Sequence, residues 1–345
     1  MNFSKRLIFW YLENKRHLPW RTTNDPYQIW LSEIILQQTR VEQGKPYYFK
    51  FLDTFPDIFS LAKASEEEVL KLWQGLGYYS RARNLHATAR YVAFACGGKF
   101  PSSYRELLKL KGVGDYTASA IASICFDEPA AAVDGNVFRM LSRIFGIDTP
   151  INTSAGFKEF KALAQELIDH NNPAAFNQAA IEFGSEQCKP RQPLCASCIF
   201  TENCVAFNEN RINELPVKLK KLKVKKRHFN YLVLLSEEKK TILQQRRGKG
   251  IWEGLYEFPL IETPAEISAE SLLREEEFQD YSVTAKDVVL YNDMPIVHKL
   301  SHQHIYTKFW ILDCDKLPGK GVSYKEVNKF PVPVLIENFI DTFDF

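Results

Sequence analysis

Four closely spaced cysteines constrain the fold of this chain more than any other feature. Cys188, Cys195, Cys198 and Cys204 lie within 17 residues and are separated by six, two and five positions. A zinc ribbon usually carries two Cys-x-x-Cys pairs held apart by a long spacer, whereas here one such pair lies inside a short loop. The spacing therefore favours a 4Fe-4S cluster bound by four thiolates, with a zinc ion or structural disulfides as the alternatives.

Length and composition indicate a soluble protein of two or more domains. The chain has 345 residues, of which 45% are apolar, and a typical single core holds about 100 to 200 residues. The N-terminal residues do not form the apolar run of a signal peptide, and no apolar stretch of about 18 residues is present to span a bilayer. We expect a cytoplasmic protein without membrane contact.

The charge of the chain is unevenly distributed. The net charge is only +2, yet a basic segment follows Pro216. Within twelve residues that contain no acid, its cations are Lys218, Lys220, Lys221, Lys223, Lys225, Lys226 and Arg227. This pattern predicts a flexible linker, and the same cations are suited to contact DNA phosphates.

The pattern of apolar residues changes at this linker. Helical periodicity predicts helices at Phe3–Asn14, Tyr27–Thr39, Gly44–Phe55, Glu66–Leu76, Ala82–Ala95, Tyr104–Leu110, Tyr116–Cys125, Asn136–Phe145, Phe157–Ile168 and Ala174–Phe183. Alternating patterns predict strands at Asn230–Leu235, Thr241–Gln245, Val288–Asn292 and His304–Asp313. The expected fold is a mainly α N-terminal region followed by a smaller α+β domain.

A glycine hairpin is predicted between two helices, at Lys111-Gly112-Val113-Gly114-Asp115. Glycines permit positive φ and bring backbone N–H groups close to a ligand, and the next helix offers the positive end of its dipole. This is a phosphate-binding arrangement, although any tight turn between helices could use the same glycines.

Two carboxylates are candidates for acid–base chemistry. Glu33 lies among apolar residues of a helix, and burial there would raise its pKa, as suits a general acid. The alternative, which spacing alone favours, is a surface position on the polar face of the helix. Asp134, in Val133-Asp134-Gly135-Asn136, is predicted to cap the following helix, to stay ionised and to face a developing cation.

These motifs together resemble the adenine DNA glycosylases of the MutY type, within the helix-hairpin-helix, iron-sulfur superfamily that includes endonuclease III. The matching segments cover nearly all of residues 18–204. They are Leu18-Pro19-Trp20-Arg21, Trp30–Thr39, Gly75–Asn84, the glycine hairpin, Asp134-Gly135-Asn136-Val137 and the four cysteines.

The resemblance implies a monomeric, nucleoid-associated base excision repair enzyme that binds double-stranded DNA and flips out adenine paired with 8-oxoguanine or guanine. Glu33 would protonate the leaving base and Asp134 would stabilise the cationic sugar. The residues that it implies to line the adenine pocket are Arg16, Trp20, Arg21 and Gln178. The residues implied to wedge into the double helix and contact the opposite 8-oxoguanine are Gln38, Thr39, Leu76 and Tyr78, and Leu36, Gly112 and Gly114 are also implied to bind the DNA.

One position separates activities within the superfamily. Bifunctional relatives carry a lysine two residues after the second hairpin glycine, where this chain has Tyr116. A phenol cannot form a Schiff base, so the resemblance implies a monofunctional glycosylase in which Tyr116 takes that catalytic position. Asp115 is acidic where basic residues are common, so we expect a weaker grip on phosphate, which Lys111 would offset.

The C-terminal residues resemble the family's Nudix-like domain, which inspects 8-oxoguanine. The resemblance rests on Trp252–Pro259 and His298–His304. Leu300-Ser301-His302 takes the place of the family's Phe-Ser-His, so Ser301 and His302 would contact the damaged base without the aromatic ring. The metal-binding frame of a pyrophosphatase is absent from this sequence, and we expect no such activity.

The implied organisation is a catalytic region at 1–211, a basic linker at 212–227 and a Nudix-like 8-oxoguanine recognition domain at 228–345. Within the first, a six-helix module spans about 22–132 and an iron-sulfur module about 1–21 and 133–211. Two other classes remain as alternatives: an endonuclease III-like bifunctional glycosylase and lyase, and a non-catalytic iron-sulfur DNA-binding protein.

Overall fold

A mainly helical unit precedes a unit built around a β-sheet, as the change in sequence pattern predicts. The computed structural model describes residues 2–219, 224–282 and 285–345. The first unit comprises Met1–Lys63 and Asn84–Lys220, and the second comprises Ala64–Arg83 and Lys221–Phe345. In the described residues, no helix is both long and apolar enough to cross a membrane.

The helical region follows the sequence-based prediction to within a few residues at most helix ends. Its helices are α1 Phe3–Asn14, α2 Pro26–Leu36, α3 Val41–Thr54, α4 Ile58–Lys63, α5 Glu66–Trp73, α6 Ser80–Arg90, α7 Tyr104–Leu107, α8 Asp115–Phe126, α9 Gly135–Phe145, α10 Ser154–Leu167, α11 Pro173–Glu182 and α12 Val205–Asn208. One π-helical turn, Tyr91–Ala95, follows α6, and another, Phe183–Gln187, follows α11. Neither α4 nor α12 was predicted, because each is too short to show a full helical period.

Local signals explain where the central helices begin. Asp25 caps α2 by accepting a hydrogen bond from the Tyr27 N–H, and Pro26 occupies the first helical position, where its missing N–H costs nothing. In the first unit α1 packs against α11, and α2 packs against α8. The core between the helices is formed by large apolar side chains that include Leu7, Met140 and Phe160.

The second unit contains a five-stranded sheet flanked by short helices. Its strands are β1 Lys225–Ser236, β2 Lys240–Thr241, β3 Gln244–Gln245, β4 Tyr256–Glu257, β5 Leu260–Thr263, β6 Ala285–Leu290, β7 Ile296–Lys299, β8 Gln303–Cys314 and β9 Val322–Ser323, and its C-terminal helices are α13 Ala269–Leu272, α14 Glu276–Ser282 and α15 Val334–Thr342. The order is β5-β1-β8-β6, with β7 also paired to β8. The central pair, β1 and β8, is parallel, from Lys225 opposite Gln303 to Ser236 opposite Cys314.

The structure departs from the sequence-based domain boundaries in two places. First, β1 begins at Lys225, so the last three residues of the predicted 212–227 linker belong to a strand. Second, residues 64–83, assigned by sequence to the catalytic region, group with the second unit. The linker cations Lys220, Lys221 and Lys223 lie outside the described residues, and the linker stays a prediction there.

We predict that Gly156→Ala destabilises the first unit. A Cβ added to Gly156 in α10 would lie 2.2 Å from the Pro150 carbonyl oxygen, so backbone would have to shift. We expect a loss of about 1 to 3 kcal/mol, measured by urea unfolding. Gly135→Ala, in the first turn of α9, is the matched control because its Cβ would meet nothing within 4 Å. Equal unfolding midpoints for the two variants would contradict the prediction.

Candidate active site

A cavity of about 770 Å³ in the first unit is lined by most of the predicted catalytic and DNA-binding residues. Its wall is formed by the segment after α1, by α2 and the residues that follow it, and by parts of α8, α9 and α11. The predicted residues that line it are Arg16, Trp20, Arg21, Glu33, Leu36, Gln38, Thr39, Tyr116, Asp134 and Gln178. Residues that are distant in sequence therefore meet at one site.

Glu33 lines this cavity from a helix whose other residues are largely buried. Burial raises the pKa of Glu33 to about 7, as does the charge of Asp134, whereas a hydrogen bond from Tyr116 and the charge of Arg21 lower it. Burial also raises the pKa of Tyr116 well above its usual value, so the phenol keeps its proton and donates a hydrogen bond to the Glu33 carboxylate. The surface position that spacing alone favoured for Glu33 is wrong.

Asp134 caps α9, as predicted. Its Oδ1 accepts hydrogen bonds from the N–H groups of Asn136 and Val137, both at 2.9 Å, and its Oδ2 accepts one from the Asn136 side chain at 2.7 Å. Burial nevertheless raises the pKa of Asp134, and these hydrogen bonds only partly oppose that shift. The expectation that Asp134 stays ionised considered the helix cap without this desolvation, because burial depends on the packing of the whole unit.

Side chains from α10 and α11 hold the segment that leads to Asp134. Asn177 accepts a hydrogen bond from the Ala132 N–H at 2.9 Å and donates one to the Ala130 carbonyl at 2.8 Å. Gln165 accepts one from the Ala131 N–H at 3.0 Å. These hydrogen bonds satisfy backbone groups that have no partner in a helix or strand. They hold in place the segment that precedes Asp134.

A buried carboxylate that the sequence analysis missed organises the two cavity arginines. Glu182, at the end of α11, has a fully buried side chain that contacts the guanidinium groups of Arg16 at 2.8 Å and Arg21 at 2.7 Å. Burial alone would raise its pKa, but hydrogen bonds from the two arginines lower the pKa of Glu182 to about 2. The available signal was a glutamate within a largely apolar helix, which is also the context of Glu33.

The predicted DNA-contacting residues fall into two groups. Gln38 and Tyr78 are exposed and have left-handed backbones, with φ of 55° and 49°, a conformation uncommon for residues other than glycine. Leu76, by contrast, is only 6% exposed, so the structure does not present it as an apolar wedge. Its apolar side chain is more stable in the protein interior than in water.

The hairpin glycines lie outside the cavity wall. Gly112 has a φ of +79°, and a Cβ there would lie 2.7 Å from Asn84 Cβ, so both conformation and space require glycine. Gly114 is the N-cap of α8, which begins at once at Asp115. The turn therefore has the backbone that the sequence predicts.

The four clustered cysteines occupy the loop after α11 as free thiols. The Arg143 guanidinium donates to Cys188 Sγ at 3.6 Å, and the Phe200 N–H donates to Cys198 Sγ at 3.4 Å. Of the residues that the structure describes, no three His, Cys, Asp or Glu side chains are grouped closely enough to hold a metal ion.

The predicted base-recognition residues of the second unit lie at the tip of a hairpin. Ser301 and His302 are exposed in the tight turn between β7 and β8, where the Leu300 N–H donates to the Gln303 carbonyl at 2.8 Å. The hydroxyl groups of Ser301 and Tyr78 are hydrogen-bonded at 2.8 Å. Two residues that the resemblance implies to contact 8-oxoguanine thus meet within this unit.

Comparison with known proteins identifies the family. Residues 31–169 match the HhH-GPD superfamily of base excision DNA repair proteins, and residues 230–342 match the NUDIX domain. The adenine DNA glycosylase of Buchnera aphidicola subsp. Baizongia pistaciae is 33% identical over 90% of this chain and 86% of its own. The chain belongs to the adenine DNA glycosylase family. Further relatives of that name include one from Arabidopsis thaliana, 37% identical over 74% of this chain and 46% of its own.

Solved structures support the fold of this adenine DNA glycosylase family member. A thermostable thymine-DNA glycosylase is 31% identical and superimposes with a TM-score of 0.56 over 60% of this chain and 95% of its own. A non-covalent endonuclease III–DNA complex, at 21% identity and a TM-score of 0.52, shows the same fold.

We predict that Glu182→Gln destabilises the first unit of this glycosylase by about 3 kcal/mol in urea unfolding at pH 7, because two cavity arginines lose a buried charged partner. A carboxyl whose pKa falls from 4.5 to about 2 on folding contributes stability above pH 4.5 that is lost toward pH 2. The difference in unfolding free energy between Glu182→Gln and wild type should therefore become smaller below about pH 5. Glu159→Gln, exposed on α10, is the control. A difference in unfolding free energy that does not change with pH would contradict the low pKa of Glu182.

Proposed function

We propose that this protein removes adenine paired with 8-oxoguanine or guanine from duplex DNA, by hydrolysing the N-glycosidic bond and leaving an abasic site. The observation that carries the proposal is the meeting of Glu33, Tyr116 and Asp134 at one cavity, with the pKa of Glu33 raised to about 7. Membership of the adenine DNA glycosylase family supports the choice of base.

Glu33 is the general acid in this proposal. A carboxyl with a pKa near 7 is partly protonated at neutral pH and can give its proton to adenine N7 as the bond from C1′ to N9 breaks. The electron pair of that bond leaves with the base, and the sugar becomes an oxocarbenium ion. Asp134, whose carboxylate accepts three hydrogen bonds, lies where it can stabilise that cation. Water then adds to C1′ and loses a proton.

The cavity also favours hydrolysis over strand cleavage. A lyase step requires a primary amine that attacks C1′, and Tyr116 supplies a phenol instead. Arg16, Arg21 and Arg40 are the cations among the described residues that line the cavity, which include no lysine. The endonuclease III-like alternative is therefore disfavoured.

Recognition of the opposite 8-oxoguanine is assigned to the second unit. Tyr78 and Ser301 share a hydrogen bond of 2.8 Å, and the Tyr78 ring is 47% exposed, so the ring can stack on a base while the serine contacts the base edge. His302 adjoins them in the same exposed turn. This arrangement supports recognition of the partner base without the aromatic residue that Leu300 replaces.

The cysteines are proposed to bind a 4Fe-4S cluster. One Cys-x-x-Cys pair lies inside a short loop here, unlike the two widely separated pairs of a zinc ribbon. A cubane takes one thiolate at each of its four irons, and Cys188, Cys195, Cys198 and Cys204 would supply them. When bound, the cluster would cross-link the loop after α11.

We predict that Glu33→Gln lowers adenine excision by at least about 100-fold while duplex binding persists. The assay is single turnover on duplexes with adenine opposite 8-oxoguanine, guanine or thymine, with and without alkali before the gel. Wild-type breaks should appear only after alkali and only for the first two duplexes, and the rate should fall as pH rises through about 7 because the acid loses its proton.

Glu13→Gln, exposed on α1, is the control and should retain wild-type rates. Full activity of Glu33→Gln, or strand breaks without alkali, would contradict the proposed mechanism. Binding by the wild type without excision from any duplex would favour the non-catalytic alternative.

We predict that Cys198→Ser lowers bound iron and absorbance near 400 nm, because a cubane needs four thiolates. Iron content and the visible spectrum of the full-length protein measure this. Cys314→Ser, buried in the second unit, is the control and should leave both unchanged. Zinc in place of iron in the wild type would refute the cluster assignment.

A further inference from the structure

Asp115 places a negative charge in the first position of α8, directly after the glycine hairpin. Its carboxylate is held from both sides: Lys161 contacts Oδ1 at 2.7 Å, and the Tyr104 hydroxyl donates to Oδ2 at 2.5 Å. The side chains of Asp115 and Lys161 are only 23% and 19% exposed. The carboxylate is therefore engaged within the protein.

Lys161 is fixed in place by more than this ion pair. Its ammonium group also donates to Ser119 Oγ at 2.9 Å and to the Ala131 carbonyl at 2.6 Å, so all three of its donors are used. The same nitrogen lies 5.1 Å from the centre of the Tyr104 ring, where a cation is attracted to the aromatic face. Lys161 thus holds a defined geometry at the cost of its side-chain freedom.

The hairpin needs this neutralisation if it is to accept a phosphate. Gly112 and Gly114 are exposed, and no described side chain caps α8, so the first N–H groups of the helix are available to a ligand. A free carboxylate beside them would repel an anion. The sequence led us to expect that Asp115 weakens phosphate binding by the hairpin. That expectation considered the charge of Asp115 without its contacts to Lys161 and Tyr104.

We propose that Lys161 neutralises Asp115, while the Tyr104 hydroxyl holds the carboxylate in place, so that the Gly112–Gly114 hairpin accepts a DNA phosphate despite the acidic residue that follows it. This inference rests on the proposed function, because it takes duplex DNA as the ligand of the hairpin. Lys161 acts as a positioning residue: it touches no substrate and changes binding through the charge that Asp115 presents.

The test compares Lys161→Met, Asp115→Asn and the double variant in the full-length protein. The probe is a fluorescein-labelled undamaged duplex, and its dissociation constant is measured by anisotropy at 50 and 200 mM salt. We expect Lys161→Met to bind three- to tenfold more weakly at low salt, because the negative charge of Asp115 is left without its cation. The deficit should shrink at 200 mM salt, which screens exposed charges.

The decisive comparison is whether adding Asp115→Asn restores DNA binding to Lys161→Met. The double variant, which removes the carboxylate charge as well, should return to within about twofold of the wild-type dissociation constant even if its melting temperature stays low. Tyr104→Phe, with and without Asp115→Asn, gives a milder version of the same comparison if Lys161→Met does not fold.

A double variant as weak as the single, or a salt-independent deficit, would overturn the inference and leave Lys161 a structural residue. A wild type that binds duplex but does not excise adenine would overturn the proposed function alone. A wild type that binds no duplex would overturn both.

Discussion

The rest of the first unit depends on the cap that Asp134 forms on α9. One carboxylate accepts hydrogen bonds from two free N–H groups at the start of the helix and also lines the cavity, so the candidate chemistry and the local fold share an interaction. Further along α9, Arg139 and Arg143 donate to the Cys188 and Lys189 carbonyls. The helix therefore contacts both the cavity and the cysteine loop.

Two glutamates of the same site show how neighbours decide the behaviour of a carboxyl group. Glu33 and Glu182 both belong to largely apolar helices, yet burial raises the pKa of Glu33 to about 7, while two arginines outweigh burial and lower the pKa of Glu182 to about 2. At neutral pH, one can give up a proton and the other remains an anion that holds Arg16 and Arg21. Acid chemistry and positioning are thus divided between them.

The sequence predicted what local pattern can encode and missed what long-range packing supplies. Helix periodicity, the Asp134 cap and the glycine turn depend on neighbours in sequence, and the structure contains each of them. Glu182 pairs with Arg16 across 166 positions, and the three bonds of Lys161 reach back 30 to 46 positions. The periodicity of apolar residues does not predict contacts between residues so far apart in sequence. The same limit explains Leu76, whose motif suggested exposure and whose packing buries it.

The second unit shows how a strained backbone prepares a contact. Gly75 and Gly77 take positive φ at no steric cost, but Tyr78, which follows them, does so at a cost of about 1 kcal/mol or more. That cost is offset by fixed partners: the Arg81 N–H donates to the Tyr78 carbonyl at 2.8 Å, the Arg81 guanidinium lies 5.6 Å from the ring centre, and Ser301 shares a hydrogen bond with the hydroxyl. Because the ring is ordered before any base arrives, stacking on DNA would lose little further conformational entropy.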